Sequence, residues 1–116
     1  MEGQALSTLL PMTGEGVLQF LYVFQPGERP ELATNLTAWT DEDEQIGAEH
    51  FAYLAAGVAD GKVVMAGRSQ DGLGPAIVIL EVDSEEEALR FMEADPFLTS
   101  GLFGASLHPF RTALQR

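Results

Sequence analysis

The chain contains no cysteine, which excludes disulfides, thiolate nucleophiles and cysteine-held metal or iron–sulfur centres. It is almost as poor in positive charge, with six Lys and Arg against 18 Asp and Glu for a formal charge of −12. The six basic residues, Arg29, Lys62, Arg68, Arg90, Arg111 and Arg116, are scattered along the sequence. The electrostatic footprint for nucleic acid or an anionic membrane surface is therefore missing, and neither is expected as a partner. No run of about 18 apolar residues occurs, and the opening residues have neither the basic segment nor the apolar stretch of a secretory signal. The expectation is a cytoplasmic protein, in which the glycosylation match at Asn35-Leu36-Thr37 carries no weight. The two histidines, His50 and His108, share no ligand spacing, so no metal and no other cofactor is expected. Ser69, Ser100 and Ser106 lie near glycines but show no nucleophile-elbow pattern, which argues against acyl transfer.

What is present suits one ordinary globular domain: 116 residues, 46% hydrophobic and 21% charged. Residues 1 to 16 read as a mixed, loosely held extension closed by Gly14-Glu15-Gly16, and residues 17 to 116 as the domain. Val17 to Gln25 is aromatic and β-branched and stops at Pro26-Gly27, as a strand does. Pro26 to Thr40 is a longer connection carrying the single tryptophan, Trp39, with its role open. A first helix begins near Thr40 or Asp41, with acidic residues in its first turn, and stops at Asp60-Gly61. Lys62 to Ser69 and Gly74 to Val82 form a hairpin about Asp71-Gly72. Ser84-Glu85-Glu86-Glu87 fits a capping box for a second helix, which Pro96 ends. Phe97 to Phe103 reads as a short irregular or helical turn, and Ala105 to Leu114 as a last strand whose Pro109 requires an edge or a bulge. The order βαββαβ predicts an α+β, ferredoxin-like sandwich.

Both helices aim an ionisable group inward. Ile46, His50, Tyr53, Leu54, Gly57 and Val58 share one face of the first helix, and Ala88, Phe91, Met92 and Asp95 share one face of the second. Burying either titratable group without a partner costs a few kcal/mol, so His50 and Asp95 are the leading site candidates. The sheet carries a further implication. Two helices cover only one of its faces, yet the first strand sets Leu18, Phe20, Tyr22 and Phe24 against Val17, Leu21 and Val23, and Ala76 to Leu80 is apolar on both sides. The second face needs a cover, and a second copy packed sheet to sheet supplies one.

Glu49-His50-Phe51-x-Tyr53-Leu54, Gly61-Lys-Val-Val-Met-Ala-Gly67, Val82-Asp-Ser-Glu-Glu-Glu-Ala88, Asp95-Pro96-Phe97 with Gly101-Leu102-Phe103, and Pro109-Phe110 resemble, in this order, the YCII-related family. Together they span roughly Val17 to Leu114. The resemblance implies a ferredoxin-like protomer forming a dimeric α/β barrel, with a cleft near a histidine and an aspartate, here His50 and Asp95. Relatives include a dehydrochlorinase of ring-chlorinated hydroquinones, and the wider superfamily includes muconolactone isomerases. After Ala66-Gly67 a proline is common in the family, whereas Arg68 stands here.

The chemistry keeps two readings open. In one, His50 transfers protons at neutral pH, oriented by Asp95, and the protein is a cofactor-free lyase or isomerase of a small aromatic or lactone-like substrate. In the other, His50 is a satisfied core residue, Asp95 accepts backbone amides in the Pro96-Phe97 turn, and the protein is a non-catalytic small-molecule-binding or accessory homodimer. The expected cleft is walled by Tyr22, Phe24, Tyr53, Phe97 and Phe103. Arg68 and Asp71 stand at its rim, either as ligands for an acidic or hydroxylated group or as solvated turn charges.

Overall fold

β1 (Leu18–Pro26) organises the sheet, pairing antiparallel with β3 (Ala76–Val82) on one side and with β4 (Phe103–Phe110) on the other. β2 (Val63–Arg68) flanks β3, for the order β2-β3-β1-β4. This is the ferredoxin-like arrangement that the element order predicts. The computed structural model describes residues 17–116, so the reading of residues 1 to 16 as an extension lies outside the described residues. Strand alternation sends Phe20 and Tyr22 toward the helices, opposite Leu80 and Val78 of β3, and all four are buried. Leu54, Val63, Val82, Ala88 and Met92 complete that core. The opposite phase, Leu21, Val23, Ile77 and Ile79, lines the face no helix covers. Pro109 is tolerated because β4 is an edge strand.

α1 (Asp41–Ala59) starts where the sequence places it, in a reciprocal capping box: the Thr40 hydroxyl accepts from the Asp43 amide at 3.1 Å, and the Asp43 carboxylate accepts from the Thr40 amide at 2.9 Å. Leu54 and Gly57 seat the helix, with Ile46, His50 and Tyr53 half-buried beside them. A Cβ on Gly57 would come within 2.6 Å of a Val63 methyl and 2.9 Å of the Phe91 ring, so the absent side chain is what lets helix and sheet approach. Val58, which the periodicity groups with that face, is 55% exposed. The last turn bears on the sheet through Gly57, and the next position rotates off it.

α2 (Glu85–Glu93) is capped by Ser84, whose hydroxyl accepts from the Glu87 amide at 3.1 Å. The returning arm differs from the standard box, because the Glu87 carboxylate accepts from the Asp83 amide. Pro96 ends the face as expected, and α3 (Pro96–Thr99) is one turn with Asp95 as its N-cap. Several strand limits differ from the sequence reading. Asp71 Oδ1 accepts from the amides of Leu73 and Gly74, absorbing Gly74 into the hairpin turn, so β3 begins at Ala76. β4 begins at Phe103 rather than Ala105, because pairing with Pro26 extends it, and it ends at Phe110 rather than Leu114, where its pairing with β1 stops at Gln19. Among the described residues no helix is long and apolar enough to cross a membrane.

Candidate active site

Asp95 is fully buried at the junction of α2 and α3, under the first half of α1. The chain turns there because Pro96 forbids helical geometry at the residue before it, which leaves the Asp95 side chain free to cap the next turn. Three donors converge on its carboxylate. The Phe97 amide donates to Oδ1 at 2.9 Å, the Tyr22 hydroxyl donates to Oδ2 at 2.9 Å, and His50 Nδ1 lies 2.7 Å from Oδ1. A dry carboxylate is tolerable only when satisfied in this way. Asp95 thus accepts a turn amide and meets His50 at the same time.

An ionised carboxylate can only accept, so its contact fixes the proton of the neutral imidazole on Nδ1 and leaves the Nε2 lone pair as the free basic position. No described residue hydrogen-bonds Nε2. The His50 ring lies flat on Phe97, with centroids 3.8 Å apart and planes 14° from parallel, while Phe24 meets it edge-on at 5.5 Å. Its side chain is 15% exposed, against none for Asp95. Burial first, and then the adjacent Asp95 charge, push the Tyr22 phenol far above its ordinary range, so it remains a donor.

Phe24, Phe97 and Phe103 pack into an aromatic wall beside His50, with the last two 4.9 Å apart. The sequence left out its roof. Trp39 packs on Phe97 and Phe103 at 6.2 and 6.1 Å, and its indole N–H donates to the Leu32 carbonyl at 3.0 Å. Arg29 ties the same connection to α1 through an ion pair with Asp43. The available signal was the presence of a lone tryptophan in a long connection, which marks packing without saying on what. Tyr22, anticipated as a wall, is instead a buried hydrogen-bond partner of Asp95.

Tyr53 stands apart from the wall. Its hydroxyl donates to the Phe91 carbonyl at 2.9 Å, and it lines a shallow groove of about 270 Å³ with Lys62, Glu87, Arg90 and Phe91. Burial, and secondarily the Asp95 charge, raise its phenol. Asp71 commits its carboxylate to the hairpin amides, which hold it below the ordinary carboxylate range. Arg68 is exposed on the edge strand. A β-bulge between Val63 and Met65 shifts the alternation of β2, pairing Met65 with Ile79 on the uncovered face and Ala66 with buried Val78 on the helix side. Arg68 pairs with Ala76, next to the Ile77–Val23 pair, so it shares a cross-strand row and a face with Phe24. His108 accompanies Ser106 on the uncovered face at 2.9 Å. No group of three His, Asp or Glu among the described residues is placed to hold a metal ion.

A family model described as "YCII-related domain" matches residues 21–107. Among solved structures, the chain is similar to the 5-chloro-2-hydroxyhydroquinone dehydrochlorinase from Burkholderia phenoliruptrix AC1100 in complex with 2,5-dihydroxybenzoquinone. The likeness has a TM-score of 0.58 at 24% identity over 81% of this chain and 94% of that one, which speaks for a shared fold. No curated protein matches the chain.

Proposed function

The chain belongs to the YCII-related domain family, and from that premise we propose that it is a cofactor-free lyase or isomerase in which His50 moves a proton on a small aromatic or lactone-like substrate while Asp95 orients it. The observation that carries this reading is the 2.7 Å contact from His50 Nδ1 to a fully buried carboxylate, which aims Nε2, bonded to none of the described residues, away from Asp95. In the step that follows, Nε2 takes a proton from a ring hydroxyl or from a carbon next to a carbonyl. The electron pair left behind either moves into the conjugated system or expels a leaving group such as chloride. The imidazolium formed is stabilised by Asp95 and returns the proton to another substrate atom, giving an isomer, or to water, completing an elimination. A dehydrochlorinase of the same fold binding a dihydroxybenzoquinone supports a flat, oxygenated substrate. The aromatic wall of Phe24, Phe97 and Phe103 suits such a ring. Arg68, re-aimed to the helix side by the bulge, is the cation suited to hold an anionic oxygen of the substrate. Asp71 contributes a rim charge, and Tyr53 a more distant face. The working unit in this reading is a homodimer.

The competing reading, a non-catalytic binding or accessory dimer, is favoured by one observation: Asp95 also caps α3 and accepts from Tyr22, which gives it a structural role whatever His50 does. Turnover of chlorinated hydroquinones and of unsaturated lactones, followed for the wild type and for His50→Asn, separates the two. Chemistry lost in the variant supports catalysis. Binding of these compounds to both proteins with no turnover by either overturns it in favour of the second reading.

A further inference from the structure

Tyr22 reaches Asp95 from β1, at the oxygen His50 does not use. Oδ2 accepts the Tyr22 hydroxyl at 2.9 Å, while Oδ1 receives the Phe97 amide at 2.9 Å and His50 Nδ1 at 2.7 Å. Tyr22 and Asp95 are both completely excluded from solvent. A carboxylate can rotate about its terminal bond, and a single amide on the shared oxygen does not stop it. A second donor on the opposite oxygen, delivered from a strand paired on both sides, does. We infer that Tyr22 is a positioning residue for the His50–Asp95 pair: its hydroxyl locks the carboxylate plane so that Oδ1 faces His50 Nδ1, and thereby sets the tautomer that leaves Nε2 as the reacting atom. Burial of the phenol and its partner keep Tyr22 in the donor form throughout.

Among the described residues, Asp95 is the titratable group that His50 contacts. Asp95 comes from the α2–α3 junction and is met in turn by Tyr22 from β1, whereas the Tyr53 hydroxyl is turned to the Phe91 carbonyl; α3 supplies Phe97, and the ionisable residue of β4, His108, lies on the opposite face of the sheet. Loss of the Tyr22 hydroxyl should therefore act on the ring through Asp95. The role rests on the reading of His50 as the reacting base, but its test reads the ring itself and not turnover.

Nitrogen-15 spectra of histidine-labelled protein distinguish the two nitrogens of a neutral imidazole. The wild type should show one dominant tautomer with the proton on Nδ1. Tyr22→Phe, which keeps the ring volume, should keep the fold by circular dichroism yet show averaged tautomers at His50. A folded Tyr22→Phe protein whose His50 retains the wild-type Nδ1–H signature would overturn the inference, because a purely structural tyrosine lowers stability without moving it. Should that variant fail to fold, fluorotyrosine incorporation in a Tyr53→Phe background labels Tyr22 alone, since the chain has two tyrosines. A more acidic phenol donates more strongly to Asp95, so the His50 Nδ1 proton should move upfield. An unchanged proton shift counts against the role. Failure of the substrate screen alone leaves these spectra as they are, so the two ideas fall separately.

Discussion

His50 is a more informative residue to replace than Asp95, because the two differ in how much structure hangs on them. Asp95 satisfies a turn amide, a buried phenol and a ring nitrogen at once, so Asp95→Ala strands three donors and should lower stability by about 3 kcal/mol or more in a denaturant titration. His50 sits at the margin of the same cluster, and Asn in its place retains an N–H for Asp95. His50→Asn should shift stability by less than about 1 kcal/mol and, if proton transfer is its role, lower turnover by roughly 10²–10⁴. A large loss of stability with no loss of any turnover would refute the catalytic role. The meeting of these two residues was legible because both continue helix faces, and a period of 3.6 residues constrains direction well. The hydroxyl of Tyr22 was not: alternation assigns Tyr22 to the side of Phe20 and Phe24, but which helix end lies above it depends on register with β3 and β4, which no local pattern encodes.

Between β1 and α1, the connection is held as a built element instead of a bare linker. Arg29 reaches Asp43 in the capping box, Trp39 bonds back to Leu32, and its ring covers Phe97, the stacking partner of His50. Thr40→Ala removes the hydroxyl arm of the box and should cost about 1 kcal/mol by thermal or chemical unfolding. Asp43 adds a pH dependence whose sign is determined. The Thr40 amide, and then the Arg29 guanidinium, hold its carboxyl below the ordinary carboxylate range. A carboxyl depressed on folding contributes stability that is present above its unfolded value and lost as pH falls through the folded one. The gap in thermal midpoint between the wild type and Asp43→Asn should therefore be widest near neutrality and narrow below pH ~4; a gap that widens on acidification contradicts the assignment. At this scale the helices and the Ser84 hydroxyl cap were legible from the sequence pattern, whereas the Thr40–Asp43 box and the reach of Glu87 to the Asp83 amide were not. The bulge of β2 was not, because Val63 to Arg68 contains no residue that demands one; it arises from matching β2 to β3, and its effect is to turn Arg68 toward the helices.

For the whole molecule, the sheet face without helices raises the remaining question. Leu21 and Val23 of β1, Ile77 and Ile79 of β3 and Met65 of β2 share it, with a Gln19–Glu81 hydrogen bond of 2.9 Å toward one end and the Ser106–His108 pair toward one edge. An apolar centre with a polar margin is how an interface between copies is built, and a twofold axis through the sheet would pair the face with itself. The expected outcome is a homodimer: light scattering at micromolar concentration should give twice the 12.5 kDa chain mass. Ile79 pairs with Leu21 on one side and Met65 on the other, which places it in the middle of the face. Ile79→Glu should bring two carboxylates together across the axis and yield a monomer that keeps its circular dichroism, since the substituted side chain points away from the core of Tyr22, Val78 and Leu80. A wild-type chain that stays monomeric at that concentration would remove the homodimer, and an Ile79→Glu protein that remains dimeric would move the interface to another surface.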